Sequence, residues 1–142
     1  MRTVRQLLAD KSPEVHAIAP DAPVLEALRR MAAHGIGALL VMDGQRLVGL
    51  VSERDYARKV VLLGRASQDT PVREIMTAEL ATVGPGDSVE HCMQLVTERR
   101  IRHLPVLEQG QVVGVLSIGD LVKAVIEEQQ QQLEQLQRYI AS

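Results

Sequence analysis

Apolar and polar residues recur with two different periods along this chain of 142 residues, and the periods change in the same order twice. At Val24, Leu28 and Met31, and again at Val89, Cys92, Met93 and Val96, apolar side chains return every three or four positions. That spacing predicts one amphipathic helix in each half. Strand-sized apolar runs follow, Ala38–Met42 and Arg46–Val51 in the first half, His103–Leu107 and Gln111–Leu116 in the second. The pairs Asp43-Gly44 and Gln109-Gly110 supply turn chemistry between them. A short extended piece with a Pro-containing turn is expected before each helix, over Val15–Ile18 and Leu80–Val83. A closing helix is expected to start near Glu53 and near Ile118, and Asp87 with Glu90 fits a capping box on the second amphipathic helix. The predicted order is strand, helix, strand, strand, helix, twice over, an α/β (α+β) chain.

The two halves are copies. Displaced by 65 positions the sequence falls on itself without a gap, Pro20 on Pro85, Val24 on Val89, Ile36 on Ile101, Leu39 on Leu104, Val41 on Val106. Val48, Gly49, Ser52 and Asp55 fall on Val113, Gly114, Ser117 and Asp120. The lead-ins "VRQLL" at Val4 and "VREIM" at Val72 also correspond, after a three-residue offset. A unit this small cannot bury its apolar face alone, so the copies are expected to pack about a pseudo-twofold axis. The expected boundaries are 3–65 and 70–126, with 127–142 as a C-terminal helical extension. In that extension and the turns before it Val122, Ile126, Gln129, Leu133, Leu136 and Ile140 recur at spacings of four and three, a helical stripe with one polar break.

The sharpest feature is the stretch "GLVSERD", where the second apolar run ends abruptly in Ser52, Glu53, Arg54 and Asp55. Ser52 with Asp55 three residues on is close to a helix-capping box, which by itself carries no function. Its recurrence as Ser117 and Asp120, at the same strand-to-helix turn, points further. Hydroxyls and free N–H groups at a helix start favour phosphate, and a carboxylate accepts two hydrogen bonds from a cis-diol. One turn can cap and bind.

With its element order, repeat spacing and duplicated G-x-x-S-x-x-D motif, the chain resembles a tandem pair of CBS domains, a Bateman module, over residues 3–126. The resemblance implies clefts between the copies that bind adenosine-containing ligands. It gives Asp55 and Asp120 the ribose hydroxyls and directs Ser52 and Ser117 toward phosphate. It also implies that Arg54, Arg102 and His103 serve phosphate in one cleft, the one better equipped with cations. The other cleft has Gly119 in place of Arg54, and Gly37 and Ala38 in place of the basic pair. Leu80, Ala81 and Thr82 are the expected adenine walls of the first cleft, and Val15, His16 and Ala17 of the second. The ligand is left open among AMP, ADP, ATP, NAD and S-adenosylmethionine.

Composition narrows the class. Net charge is −2, so no overall basic field recruits nucleic acid, and Tyr56 and Tyr139 are the only aromatic residues of the Phe, Trp and Tyr set. Residues 1–65 nevertheless carry 10 Lys and Arg against 7 Asp and Glu, and residues 66–142 carry 6 against 11. A planar ligand is expected to lie between aliphatic side chains. Cys92, the single cysteine, falls at helical core spacing, and His34 and His91 show no metal-ligand spacing, so neither disulfide nor metal is expected. No run approaches the roughly 20 residues of a membrane span, and a cytoplasmic protein is expected. No nucleophile has a base placed beside it, so no enzyme is expected. The resemblance implies a regulatory sensor acting on a protein partner in trans. The apolar C-terminal stripe adds the expectation of a homodimer. A dimeric interaction scaffold with vestigial clefts is the alternative.

Overall fold

Each predicted period becomes an element where one face can be buried. The computed structural model describes residues 2–11 and 14–141. In chain order, helix α1 spans Val4–Ala9, strand β1 Ala17–Ile18, helix α2 Val24–His34, and strands β2 and β3 Ala38–Asp43 and Arg46–Ser52. A short helix α3, Glu53–Tyr56, runs into a wider π-type turn over Ala57–Val61, and a 3-10 turn follows at Val72–Glu74. Helix α4 spans Val89–Arg99, strands β4 and β5 span His103–Glu108 and Gln111–Ser117, and helix α5 covers the 24 residues Ile118–Ala141.

These elements gather into two units, and the division does not simply follow the chain. One is continuous, Val15–Leu80; the other is split, Met1–Glu14 with Ala81–Ser142. In the continuous unit β1 runs parallel to β2 (Ala17 beside Leu40, Ile18 beside Val41) and β2 antiparallel to β3. Val24, Ala27 and Met31 of α2 pack with Leu39, Val41 and Val51 of the strands, and Val72 and Ile75 close the same core. In the split unit β4 and β5 pair antiparallel, and Val83 makes a single parallel bridge to Val106. Its core joins Val4 and Leu7 of α1 to Val89, Cys92 and Val96 of α4, Leu104, Val106 and Leu116 of the strands, and Leu121 of α5. Burying each such aliphatic side chain contributes about 1.5–3 kcal/mol.

The duplication extends to irregular detail. Both hairpins bulge at the same place: Val41 pairs with Gly49 and Met42 with Leu47, while Val106 pairs with Gly114 and Leu107 with Val112. Val48 and Val113 are the extra residues. Beside each bulge a lead-in lies against the motif glycine. A Cβ at Gly49 would stand 2.6 Å from Met76 Sδ and 2.9 Å from the Thr77 carbonyl oxygen; one at Gly114 would stand 2.6 Å from a Leu8 methyl carbon. Met76 ends "VREIM" and Leu8 ends "VRQLL", so the corresponding lead-ins dock at corresponding glycines.

Several local expectations are corrected. Ser88, not Asp87, caps α4, its hydroxyl accepting from the His91 N–H at 3.1 Å; Asp87 turns back to accept from Gly84 N–H at 2.7 Å. The first hairpin turns through Gly44 and Gln45, because Asp43 still pairs with Arg46, whereas the second turns through Gln109 and Gly110 as expected. The extended pieces are shorter than read, two residues in β1 and one bridging residue, Val83. The expected C-terminal helical extension, by contrast, is present as the continuation of α5, which runs unbroken from the motif to Ala141; Ser142 lies outside the described residues.

Candidate functional site

The expected site residues divide between the units. The continuous unit holds Val15, His16, Ala17, Gly37, Ala38, Ser52, Arg54, Asp55 and Leu80; the split unit holds Ala81, Thr82, Arg102, His103, Ser117, Gly119 and Asp120. Each unit brings its motif turn beside the start of its own first hairpin strand. Ala38 pairs with Ser52, and the Glu53 N–H donates to the Gly37 carbonyl at 3.0 Å. Likewise His103 pairs with Ser117, and the Ile118 N–H donates to the Arg102 carbonyl at 2.9 Å. These bonds satisfy a first-turn N–H that the helix cannot satisfy itself.

Both motif turns are complete capping boxes in their bonding. The Ser52 hydroxyl accepts from the Asp55 N–H at 3.2 Å, and Asp55 Oδ2 accepts from the Ser52 N–H at 3.0 Å and from its hydroxyl at 3.1 Å. In the split unit the Ser117 hydroxyl accepts from the Asp120 N–H at 3.1 Å, and Asp120 Oδ2 accepts from the Ser117 N–H at 2.8 Å. In each aspartate Oδ1 stands outside these capping bonds.

The two carboxylates meet different cations. Asp55 Oδ1 lies 3.5 Å from Lys59 Nζ, one helical turn on, while the Arg54 side chain stands exposed. Asp120 Oδ2 takes a hydrogen bond from Lys11 Nζ at 2.7 Å, and the same ammonium donates to the Val115 carbonyl at 2.8 Å. Burial would push the Asp120 carboxyl up, but Lys11 and the Ser117 bonds outweigh it and hold it below the usual carboxylate range. His103 is lowered, first by burial and then by Lys11 and Arg102, with Asp120 opposing. Lys11, Arg102, His103 and Asp120 are therefore one electrostatic group. Lys11 escaped the sequence reading because it lies outside the copied segment and far from the motif in sequence.

Other residues find plainer places. Val15 is exposed; His16 is half-buried, and its ring stacks on His34 with centroids 3.9 Å apart and planes at 27°. This ring pair was not anticipated in a chain so poor in aromatic residues. The Ala17 carbonyl accepts from Arg30 at 2.6 Å. Leu80 and Ala81 are half-buried, and Thr82 and Gly119 exposed. Cys92 is a core thiol, pushed up to about 11 by burial with the Asp87 charge adding. Among the described residues no three His, Cys, Asp or Glu side chains converge as metal ligands, and no helix is long and apolar enough to cross a membrane.

This duplicated strand-to-helix turn is shared with known proteins. The CBS-domain pattern matches residues 4–62 and again 72–127, and the chain belongs to the CBS-domain family. It is 44% identical over 125 residues to the mitochondrial CBS domain-containing protein CBSX3 of Arabidopsis thaliana, covering 84% of this chain and 61% of that one. The chain thus spans less than two thirds of that relative's length. It superposes on a crystallised CBS-domain protein, NE2398, with a TM-score of 0.84 at 53% identity, covering 88% of this chain and 98% of the other. The CBS-domain protein PAE2072 of Pyrobaculum aerophilum, crystallised in complex with AMP, superposes with a TM-score of 0.75 at 29% identity, over 84% of this chain and 89% of that one. Stand-alone proteins of this family are generally regulatory, signal-sensing modules.

Proposed function

We propose that this chain is a regulatory sensor that binds an adenosine nucleotide through its Ser52–Asp55 and Ser117–Asp120 turns and acts on a protein partner in trans. The observation that carries this reading is the capping geometry, formed in both units, which fixes each carboxylate by Oδ2 and leaves Oδ1 outside the capping bonds. A ribose diol needs such an oriented acceptor. Arg54, Arg102 and His103 supply cationic and hydrogen-bonding groups for phosphate. The segments Val15–Ala17 and Leu80–Thr82 offer backbone edges for adenine. The AMP bound by the Pyrobaculum relative supports the ligand class: AMP, ADP, ATP or NAD, with S-adenosylmethionine as a further candidate. The exposed stripe Val122, Ile126, Leu133, Leu136 and Ile140 supports a homodimer that covers it.

Calorimetric titration of the purified protein with each of the five ligands tests the reading. At least one is expected to bind in the micromolar range. Asp55→Ala is expected to weaken its site by about 1–3 kcal/mol through loss of charged hydrogen bonds. The same change removes a helix cap worth about 1 kcal/mol, so melting of the variant is measured beside binding. Flat titrations with all five ligands would leave the interaction scaffold as the better account.

A further inference from the structure

Helix α5 outruns the core that anchors it. Leu121 and Ala124 are its buried residues, and from Gln129 to Ala141 every position is exposed. A helical stretch of only about 12–15 residues without a packed face is marginal in water, so this one is expected to rely on a partner. We propose that the exposed stripe of α5 pairs with the same stripe of a second copy, parallel and in register, as a two-stranded coiled coil. The proposal deepens the homodimer reading above and rests on it.

The stripe has the repeat that such a pairing needs. Val122, Ile126, Gln129, Leu133, Leu136 and Ile140 follow one another by alternating steps of four and three, which keep a seam facing its mate. Ile126, Leu133 and Ile140 take one of the two seam positions, and Val122, Gln129 and Leu136 the other. β-branched residues at the first with leucine at the second favour two strands. Leu121 and Ala124 point elsewhere around the helix, into the core of the split unit, so α5 can serve that core and a mate at once. Charge argues for an identical mate. From Val125 onward the positions flanking the seam are Val125, Gln130, Gln132, Gln137 and Tyr139, none of them charged at neutral pH. Glu127, Glu128, Glu134 and Arg138 lie further round the helix. Two identical copies therefore bring no like charges together along the seam, and a strongly charged partner finds no counter-charge there. A membrane surface fits poorly too, because beyond Lys123 the helix has Arg138 as its one basic residue, where lipid headgroups call for several.

Gln129, the polar break in the stripe, sets the direction. In a parallel pair in register it meets its own counterpart, and each amide offers the other a donor and an acceptor. In an antiparallel pair with the seam positions matched, Val122 would meet Ile140, Ile126 would meet Leu136, and Gln129 would meet Leu133. Both amides would then be buried against leucine without a hydrogen-bond partner, the costlier arrangement. The parallel sense also sets both Ser117–Asp120 turns, where these helices begin, at one end of the coil.

Sedimentation equilibrium of the full chain, beside the double variant Leu133→Asp, Leu136→Asp, is the first test. Both leucines are more than half exposed and outside the core, so the variant is expected to keep its folded units. The wild-type chain is expected to be a dimer, and the variant dimer to be at least about a hundredfold weaker. A variant that dimerises as tightly as the wild type would overturn the coil and leave the homodimer to another surface. A wild-type monomer at tens of micromolar would overturn the coil and the homodimer together. It would leave the stripe to another protein or, if the chain floats with phosphatidylglycerol vesicles, to a membrane. Cross-linking reads the direction without that variant. Leu136→Cys is expected to form an intermolecular disulfide under mild oxidation, because parallel copies in register face each other at this position. In the antiparallel pair the two thiols would stand about 15 Å apart along the axis, too far to bridge. Cys92 is buried and does not compete. A disulfide formed only on mixing Ile126→Cys chains with Leu136→Cys chains would make the pair antiparallel and overturn the proposal. Absence of a disulfide in both experiments would overturn it as well. None of these measurements uses a nucleotide, so their outcome is separate from that of the ligand titrations.

Discussion

The two motif turns have the same residues and the same capping bonds, yet they sit in different electrostatic surroundings. Among the described residues Asp55 pairs with Lys59, 3.5 Å away and four positions on, whereas Asp120 is held by Lys11, which follows α1 and lies 109 positions away in sequence. On the neighbouring strand the contrast repeats, with Gly37 and Ala38 beside the first turn and Arg102 and His103 beside the second. A duplicated backbone fixes where a carboxylate points. What it meets there is set by residues that the duplication does not copy.

The largest expected effect comes from the motif glycines. At Gly49 an added methyl would strike both Met76 and the Thr77 carbonyl, while at Gly114 it would strike only the flexible end of Leu8. Gly49→Ala is therefore expected to cost about 3 kcal/mol and Gly114→Ala about 1 kcal/mol, from overpacking against main chain and against a movable side chain. Urea unfolding of the two variants checks this. Equal losses would mean that the two lead-ins dock with equal rigidity.

The helix ends offer a smaller and opposite test. Helix α2 ends on Gly35 at φ 63°, and α4 ends on Arg100 at φ 53°, the same left-handed conformation with a side chain attached. Arg100→Gly is expected to stabilise by about 0.5–1 kcal/mol, since release of left-handed strain is partly offset by a freer unfolded chain. A lower melting temperature for this variant would show that the Arg100 side chain has a stabilising role of its own.

The smallest expected effect depends on pH. Burial, Lys11 and Arg102 lower the pKa of His103 in the fold, so the unfolded chain takes up that proton first, near 6.5. Stability from neutral His103 is complete above that value and declines as pH falls from about 6.5 toward the lower folded pKa. Asp120, depressed in the fold, gives stability that is lost only at lower pH, on falling through its folded pKa. His103→Gln should flatten the first decline of melting temperature and leave the second. Ala38, the counterpart of His103, has nothing to titrate, and an unchanged first decline would place its origin in another histidine.

The fold was legible because its evidence lies in short periods and in the copying of one half onto the other. Strand starts at Ala38, Arg46, His103 and Gln111, and helix starts at Glu53 and Ile118, follow from where those periods switch. The choice of Ser88 over Asp87 as a cap was not legible, since both residues have the right chemistry and one position of backbone geometry decides. The capping half of the motif was legible from Ser and Asp three residues apart. Lys11 was not, because its partner lies 109 residues away and pairing at that distance leaves no local pattern. The His16–His34 stack escaped for a related reason: it needs strand β1 and the end of α2 side by side.

The split unit also bears on how the chain acquires its structure. Residues 15–80 hold all the partners their core needs within one uninterrupted stretch. The N-terminal helix must wait: Val4 bonds Asp87, Lys11 bonds Asp120 and Arg2 bonds Glu127, 125 positions on. Closing such distant contacts is entropically slow, and chains emerge from the ribosome N-terminus first. Residues 15–80 are thus free to fold during synthesis while residues 2–11 still await Asp87, Asp120 and Glu127. Residues 2–11, made before that core, then find their place after it.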